Sequence, residues 1–433
     1  MYQSVIDYLK DKKVMILGFG REGRSSYKYI RFFYPEMHLA VADLNQVSVG
    51  GDPNVTLICG EKYLDSLEGY DVVLKSPGIS FKNVTVPKGV EVTCQTDLFL
   101  RYAPCFKIGT TGTKGKTTTS TLIYKMLCTA GVQACLIGNM GVPVFDCLPE
   151  IEGKIAVIEI SSHQLEFTHA SANIAVLTNI YEEHLDHYNG FEGYVNAKLN
   201  IVRFQSENDY FICNKDFEIE KHNIKINSKV LRVGINDDEK DLFLKELVGI
   251  NERLKGEHNK QDVFFAATVA RCMGLDQSNI IKAVREFKGI PHRMEPIGTY
   301  KGIKFYNDCI ATIPHAVLCA LDALDDTDTL ILGGMDRGLD YSEFEQQLNK
   351  TKVLNIICLP ETGHRIGEGM LKLGTDKKII CVDTMERAVE KAFEVTEKGR
   401  SCILSPAAAS YNKYRDFEEK GAHYTSLVKG FKL

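Results

Sequence analysis

Short apolar runs alternate with amphipathic stretches along the whole chain. Before residue 80, "VMILGF", "HLAVAD", "VTLIC" and "DVVLKSPG" read as strands, with a helix starting after Arg21. From Cys105, "CFKIGTTGTKGKTTTSTLIYKML" passes from an apolar strand through glycines into a helix. Strands at "KIAVIEI" and "ANIAVLTNI" follow. Helices then cover "EGYVNAKLNIVRF" and "NKQDVFFAATVARCMG", the second with its stop signal at Gly274. After His292 come "IKFYND", "TLILGG", "VLNIICL", "KKIICVD" and "SCILSP", five more strands. Strands alternating with helical patterns predict α/β architecture with mostly parallel sheets. The 433 residues suit about three domains of roughly 150 residues each. The pattern breaks near residues 103 and 290, giving expected domains 1–103, 104–290 and 291–433.

Composition narrows the function classes. A net charge of −5 with no long block of like charge argues against a nucleic-acid partner or an anionic membrane surface. No stretch approaches the roughly 18 apolar residues of a membrane span, so membrane insertion is not expected. The apolar run "VMIL" near the N-terminus is too short for a signal peptide. The 13 cysteines are scattered, without a CxxC pair, which fits reduced thiols and a cytoplasmic location. We expect a monomer.

The chemistry concentrates where strands end. Gly112-Thr113-Lys114-Gly115-Lys116-Thr117 lacks the first glycine of a complete phosphate-loop pattern, since Thr110 stands there. The remaining features suffice. Glycines let backbone N–H groups turn onto phosphate oxygens, and a helix N-terminus adds a positive dipole. Lys116 would reach the β- and γ-phosphates and the Thr117 hydroxyl would ligate Mg²⁺. An ordinary strand-to-helix turn is the weaker reading, because Gly-Lys-Thr-Thr opens a helix after a buried strand. "GFGREG", with Gly18, Gly20 and Gly23, also follows a strand, and Asp43 ends the next one. A tight turn and a nucleotide-diphosphate site stand equal there. Glu159 in "VIEISSHQLE" ends an apolar strand beside the phosphate loop, where a carboxylate can hold Mg²⁺. "TNIYEEHLDHY" supplies Glu183, His184 and Asp186 at the same sheet edge, and His184 reads equally as ligand or structural histidine. Lys198 in "YVNAKLNIV" reads as an ordinary solvated helix lysine. Asp308, Arg337 and Ser410 sit at strand ends in the last third, as ligand groups or as turns and caps.

In this order, "TGTKGKTTT", "EISSHQLE", "TNIYEEHLDHY", "NAKL", "GEHNKQD", "PHRME" and "SPAAAS…DFEEKG" resemble the motifs of the Mur ligases over essentially the whole chain. The resemblance implies an N-terminal Rossmann-like domain for a UDP-substrate, a central P-loop ATP-binding domain and a C-terminal Rossmann-like α/β domain that receives an amino acid. It implies an ATP-dependent amide ligase that adds D-glutamate to UDP-N-acetylmuramoyl-L-alanine through an acyl phosphate, releasing ADP and phosphate.

The resemblance also assigns residues. Gly112 to Thr118 (Gly112, Thr113, Lys114, Gly115, Lys116, Thr117, Thr118), Asn259, Arg293 and Asp308 would serve ATP. Thr117, Glu159, His184 and Lys198 would hold two Mg²⁺ ions, with Lys198 carbamylated, and Lys116, His184 and Lys198 would be catalytic. Gly20, Arg21 and Asp43 would take the uridine end of the substrate, and Asn139, Ser161 and Gln164 its sugar end. Thr312, Arg337, Ser410 and Phe417 would bind glutamate. This chain departs from the family pattern at Cys309 and Ile310, where Ser and Lys are usual. It departs also at Asp262, where Asn is usual, and at Arg337, where Lys is usual. The first two leave L-glutamate open as the substrate. A catalytically silent nucleotide-binding partner of another ligase, a folate polyglutamate ligase and a dinucleotide dehydrogenase are weaker alternatives.

Overall fold

A computed structural model describes residues 3–138, 143–183, 187–254, 256–336, 338–410 and 413–431. The chain forms two compact units, Met1–Lys288 and Gly289–Leu433. It is an α/β protein with three sheets. Among the described residues no helix is long and apolar enough to cross a membrane.

The first unit carries two of the sheets. Strands β1 (Val14–Leu17), β2 (Leu39–Asp43), β3 (Val55–Cys59), β4 (Val72–Lys75) and β5 (Glu91–Thr93) are all parallel, in the order β3-β2-β1-β4-β5. Every residue of β1 and β4 is buried, which is why these strands read as continuous apolar runs. Strand order reverses beside β1, and in open α/β sheets ligands bind outside the carboxyl ends at such a point.

Strands β6 (Lys107–Thr111), β7 (Ala134–Gly138), β8 (Ile155–Glu159), β9 (Ile174–Leu177), β10 (Tyr210–Asn214) and β11 (Lys229–Val233) form the second sheet, again all parallel, in the order β11-β10-β9-β6-β8-β7. Strand β6 lies between β8 and β9. The loop leaving it is therefore flanked by Glu159 on one side and Thr178-Asn179 on the other.

The second unit holds β12 (Glu295–Tyr300), β13 (Ile303–Asn307), β14 (Thr327–Gly334), β15 (Asn355–Glu361), β16 (Lys378–Cys381) and β17 (Ser401–Leu404), in the order β12-β13-β17-β14-β15-β16. Only the edge strand β12 runs antiparallel.

The apolar runs marked most of these strands, and β5, β7, β10, β11 and β12 lay outside them. Strand β5 is three residues long. Strand β11 is an edge strand with mostly exposed positions. Strand β12 carries Pro296 and Gly298 around a register shift, which an edge strand tolerates because one row of its backbone groups needs no partner.

Candidate functional site

The phosphate loop joins β6 to the helix Lys116–Thr129. Gly112 has φ +153°, and a Cβ there would lie 1.9 Å from Thr178 Oγ1. Gly115, before the helix, has φ +84°, and its Cβ would lie 2.3 Å from Asp262 Oδ1. Both positions therefore require glycine. The strand end of β9 holds the loop from the side. Thr113 N donates to Asn179 O at 2.9 Å, Lys114 N to Asn179 Oδ1 at 2.8 Å and Thr178 Oγ1 to Lys114 O at 2.6 Å. Lys114 itself is exposed and pairs with Glu183 at 2.5 Å. Thr117 and Thr118 stand half-buried in the helix's first turn.

Two lysines converge on this loop. Lys116 Nζ donates to the carbonyls of Gly112 and Thr113, each at 3.0 Å. Lys198 Nζ donates to the same Gly112 carbonyl at 2.7 Å. Lys198 is 1% exposed, on the helix Gly190–Arg203, so it is a core lysine rather than a solvated one. Its amine lies 4.7 Å from the Tyr194 ring centre, and the Tyr194 hydroxyl is 2.9 Å from Thr113 Oγ1. Burial, reinforced by the Lys116 ammonium and opposed by Glu183, holds the Lys198 amine far below the ordinary lysine range. Helical spacing carried the missed signal: 194, 195, 197, 198, 199, 201 and 202 make one broad buried face, and Lys198 falls inside it.

Glu159 closes the other flank. It is 3% exposed at the end of β8. Asn259 lies in the first turn of the helix Glu257–Cys272, and Asp262 one turn on accepts from Thr119 Oγ1 at 3.2 Å. A Thr hydroxyl and a buried carboxylate beside a phosphate loop are the hard oxygen donors that Mg²⁺ prefers. Among the described residues no group of three His, Cys, Asp or Glu could hold a metal. Asn139, His184, Asp186 and Arg337 lie outside the described residues.

Gly20, Arg21 and Asp43 line one cleft of about 420 Å³ at the carboxyl end of the first sheet, with Gly18, Glu22, Tyr63 and Ser76. Asp43 braces the glycine turn, accepting from Phe19 N at 2.7 Å and from Asn45 N at 2.8 Å. Ser161 and Gln164 form a capping box on the turn after Glu159. Gln164 Nε2 then reaches Glu22 Oε1 at 2.7 Å. A continuous polar line so runs from the cleft to the phosphate loop's flank. Sequence reasoning missed its neighbour, the buried Lys75, which pairs with Glu166 at 3.2 Å while His187 holds the same carboxylate at 3.1 Å.

In the second unit three loops leave the adjacent strands β13, β17 and β14 and are tied by backbone bonds. Ala407 N donates to Ala311 O at 3.0 Å, Gly333 N to Pro406 O at 2.9 Å and Met335 N to Ala409 O at 2.8 Å. Asp308 is 3% exposed and accepts from Ser405 Oγ at 2.7 Å and Met294 N at 3.1 Å. Burial lifts its carboxyl to about 6 against those bonds and the nearby Arg293. Ser410 Oγ is buried without a hydrogen-bond partner among the described residues, so a ligand oxygen could engage it. Thr312 is half-buried after the first loop, and Phe417 opens the helix Phe417–Gly430 with its ring 6.1 Å from His292. That helix also delivers Lys420, which sequence reasoning missed. It is 2% exposed, donates to Gly333 O at 2.6 Å and is pulled by burial to about 8. Its spacing of four from Tyr424 and eight from Val428 placed it on the buried face. Cys309 is fully buried among Phe305, Leu404 and Tyr424, so the change from Ser there is a change in the core.

Comparison with known proteins gives one consistent result. Residues 110–266 match the Mur ligase middle domain and 292–408 the Mur ligase glutamate ligase domain. The UDP-N-acetylmuramoylalanine--D-glutamate ligase of Ligilactobacillus salivarius is 33% identical over 98% of both chains. The enzyme of that name from Caldanaerobacter subterraneus is 34% identical over 97% of this chain and 98% of its own. Among solved structures, UDP-N-acetylmuramate-alanine ligase from Thermotoga maritima aligns with a TM-score of 0.56 at 15% identity, covering 97% of this chain and all of its own. The MurF ligase of the same organism, in complex with ADP, gives 0.53 at 17% identity over 97% of this chain and 96% of its own. At those identities they report the fold.

The buried amine predicts a pH signature. Because the Lys198 pKa is lowered on folding, the unfolded chain binds more protons up to about pH 10, and stability rises with pH across that window. Lys198→Met removes this dependence. In CO₂-free buffer, the melting temperature of the variant minus that of the parent is expected to fall steadily from pH 7 towards about 10. A difference that does not change with pH would show that Lys198 keeps its ordinary charge.

Proposed function

The chain belongs to the Mur ligase family, and on that premise we propose that it joins D-glutamate to UDP-N-acetylmuramoyl-L-alanine, using ATP and releasing ADP and phosphate. The observation that carries this reading is the glycine-built phosphate loop, with Lys116 on its carbonyls and the buried Lys198 amine on the same oxygen. Residues 1–103 take the UDP end of the substrate, 104–290 take ATP and 291–433 take glutamate.

A carboxylate is a poor electrophile, and phosphorylation gives it a leaving group. Backbone N–H groups at the helix start, residues 115–117, hold the phosphates, and Lys116 offsets charge on the transferring phosphoryl group. The cleft of Gly20, Arg21 and Asp43 holds the uridine diphosphate end, while Asn139, Ser161 and Gln164 orient the sugar end. Thr117, Glu159, His184 and a carbamate on Lys198 would hold two Mg²⁺ ions. When bound, these supply positive charge beside the phosphate oxygens. The neutral Lys198 amine is the form that adds to CO₂, giving a carbamate and a proton, and the product is an oxygen donor where an ammonium would repel a cation. Asn259, Arg293 and Asp308 support ATP. Arg337 and Thr312 hold one glutamate carboxylate, and Ser410 with the backbone near Phe417 holds the other. The two clamps aim the amine at the acyl phosphate, which is how positioning lowers the barrier. D-glutamate is preferred because full-length relatives carry that activity in their names.

The direct test supplies ATP, Mg²⁺ and UDP-N-acetylmuramoyl-L-alanine with D- or L-glutamate separately. D-glutamate should give product and equimolar phosphate. Lys116→Ala should lower kcat at least about a hundredfold in a folded protein. Product from L-glutamate alone would reverse the stereochemical assignment, and product from neither would end the ligase reading.

Arg337→Ala should raise the glutamate KM about 10- to 150-fold, for the loss of roughly 1.5–3 kcal/mol of charge-assisted hydrogen bonding. The KM values for ATP and the UDP-substrate should change little. An unchanged glutamate KM would put the clamp elsewhere.

A further inference from the structure

Cys358 and Cys381 are direct register partners on the parallel strands β15 and β16. Among the described strands no other register pairs two cysteines. Neighbouring strands run about 4.7–4.9 Å apart, inside the Cα separation of about 4.4–6.8 Å that a disulfide spans. Register partners project to the same face of a sheet, and a third residue shows that these do. A Cβ on Gly367 would lie 3.0 Å from Cys358 Sγ and 3.6 Å from Cys381 Sγ. The helix Thr362–Lys372 crosses over both sulfurs, and its glycine leaves them room to meet.

The two thiols are unequal. Cys358 is fully buried and Cys381 is exposed. His364, on the covering helix, is held by its Nε2 at 3.1 Å from the carbonyl of Val382, the residue after Cys381. Interaction with the Cys358 thiol, helped by His364, draws the Cys381 thiol below the ordinary cysteine range, although burial and the acids Glu368 and Asp383 oppose it. The Cys358 thiol is displaced upward by the same pairing and by burial. An accessible thiolate beside a buried thiol is the arrangement of an attacking and a resolving cysteine. Nothing in the ligase reaction uses either sulfur.

We propose that Cys381 is a hydroperoxide-reactive thiol and Cys358 its resolving partner, the two closing reversibly to a disulfide across β15 and β16. The Cys381 thiolate attacks a peroxide oxygen. An S–O bond forms, the O–O bond breaks, and the leaving oxygen takes up a proton as water or alcohol. The Cys358 sulfur then attacks the Cys381 sulfur. The S–S bond forms, the S–O bond breaks, and hydroxide leaves with the Cys358 proton as water. Two electrons pass from sulfur to peroxide, and a dithiol returns them. The consequence is protective, because a sulfenic acid captured by a neighbour does not proceed to the irreversible sulfinic acid.

The test treats the reduced full-length protein with hydrogen peroxide, blocks free thiols by alkylation and analyses the peptides by mass spectrometry. The parent should yield a Cys358–Cys381 cross-linked peptide that dithiothreitol removes. Cys358→Ala should shift Cys381 to sulfinic acid, several-fold above the parent. Cys381→Ser, at an exposed position, should leave Cys358 reduced. Sulfinic acid at Cys381 of the parent without a cross-link would overturn the proposal, and so would two cysteines that both remain alkylatable. The parent's own peptides decide the matter even if the Cys358 variant fails to fold.

Discussion

Two lysine nitrogens share one carbonyl oxygen, that of Gly112, and the chemistry of the first unit is organised by the conflict this creates. Two ammonium groups so close, one of them fully buried, repel strongly where water cannot screen them. Burial first, and the Lys116 charge second, drive the Lys198 amine towards its neutral form. A neutral buried amine is useless as an ion-pair partner and well suited to become something else. On the proposed reading it becomes an anion, which turns mutual repulsion into attraction for Lys116 and for a divalent cation. The glycine at 112 is what permits the arrangement, since any side chain there would strike Thr178.

The second unit solves a different problem. Its candidate ligand groups come from three loops far apart in sequence, and their adjacency rests on the sheet order β13-β17-β14. Backbone hydrogen bonds tie each loop to the next. Ser405 and Asp308 add a side-chain tie. Loops fixed in this way can present a carboxylate pocket with little reorganisation on binding, which is the condition for two-point capture of a small diacid.

The phosphate loop was legible because its chemistry requires particular residues in a particular order: glycines where a Cβ would collide, then Lys-Thr at a helix start. The three-sheet α/β class followed from apolar runs separated by helical patterns. What stayed hidden depended on contacts rather than on order. Lys198 and Lys420 each look solvated by residue type, and only their spacing from buried neighbours on one helix face shows otherwise. The line from Glu22 through Gln164 to Ser161 joins residues more than a hundred positions apart. The pairing of Cys358 with Cys381 needs the strand register. Short and edge strands such as β5 and β12 escaped because neither is a continuous apolar run.

On the proposed reading Lys198 acts as a carbamate. Protein equilibrated with ¹³C-bicarbonate and examined by ¹³C NMR tests it directly, beside Lys198→Met under the same conditions. A carbamate carbon resonance present in the parent and absent from the variant is the expected result. Parent and variant spectra that are identical in that region would contradict the claim and leave Lys198 a buried amine.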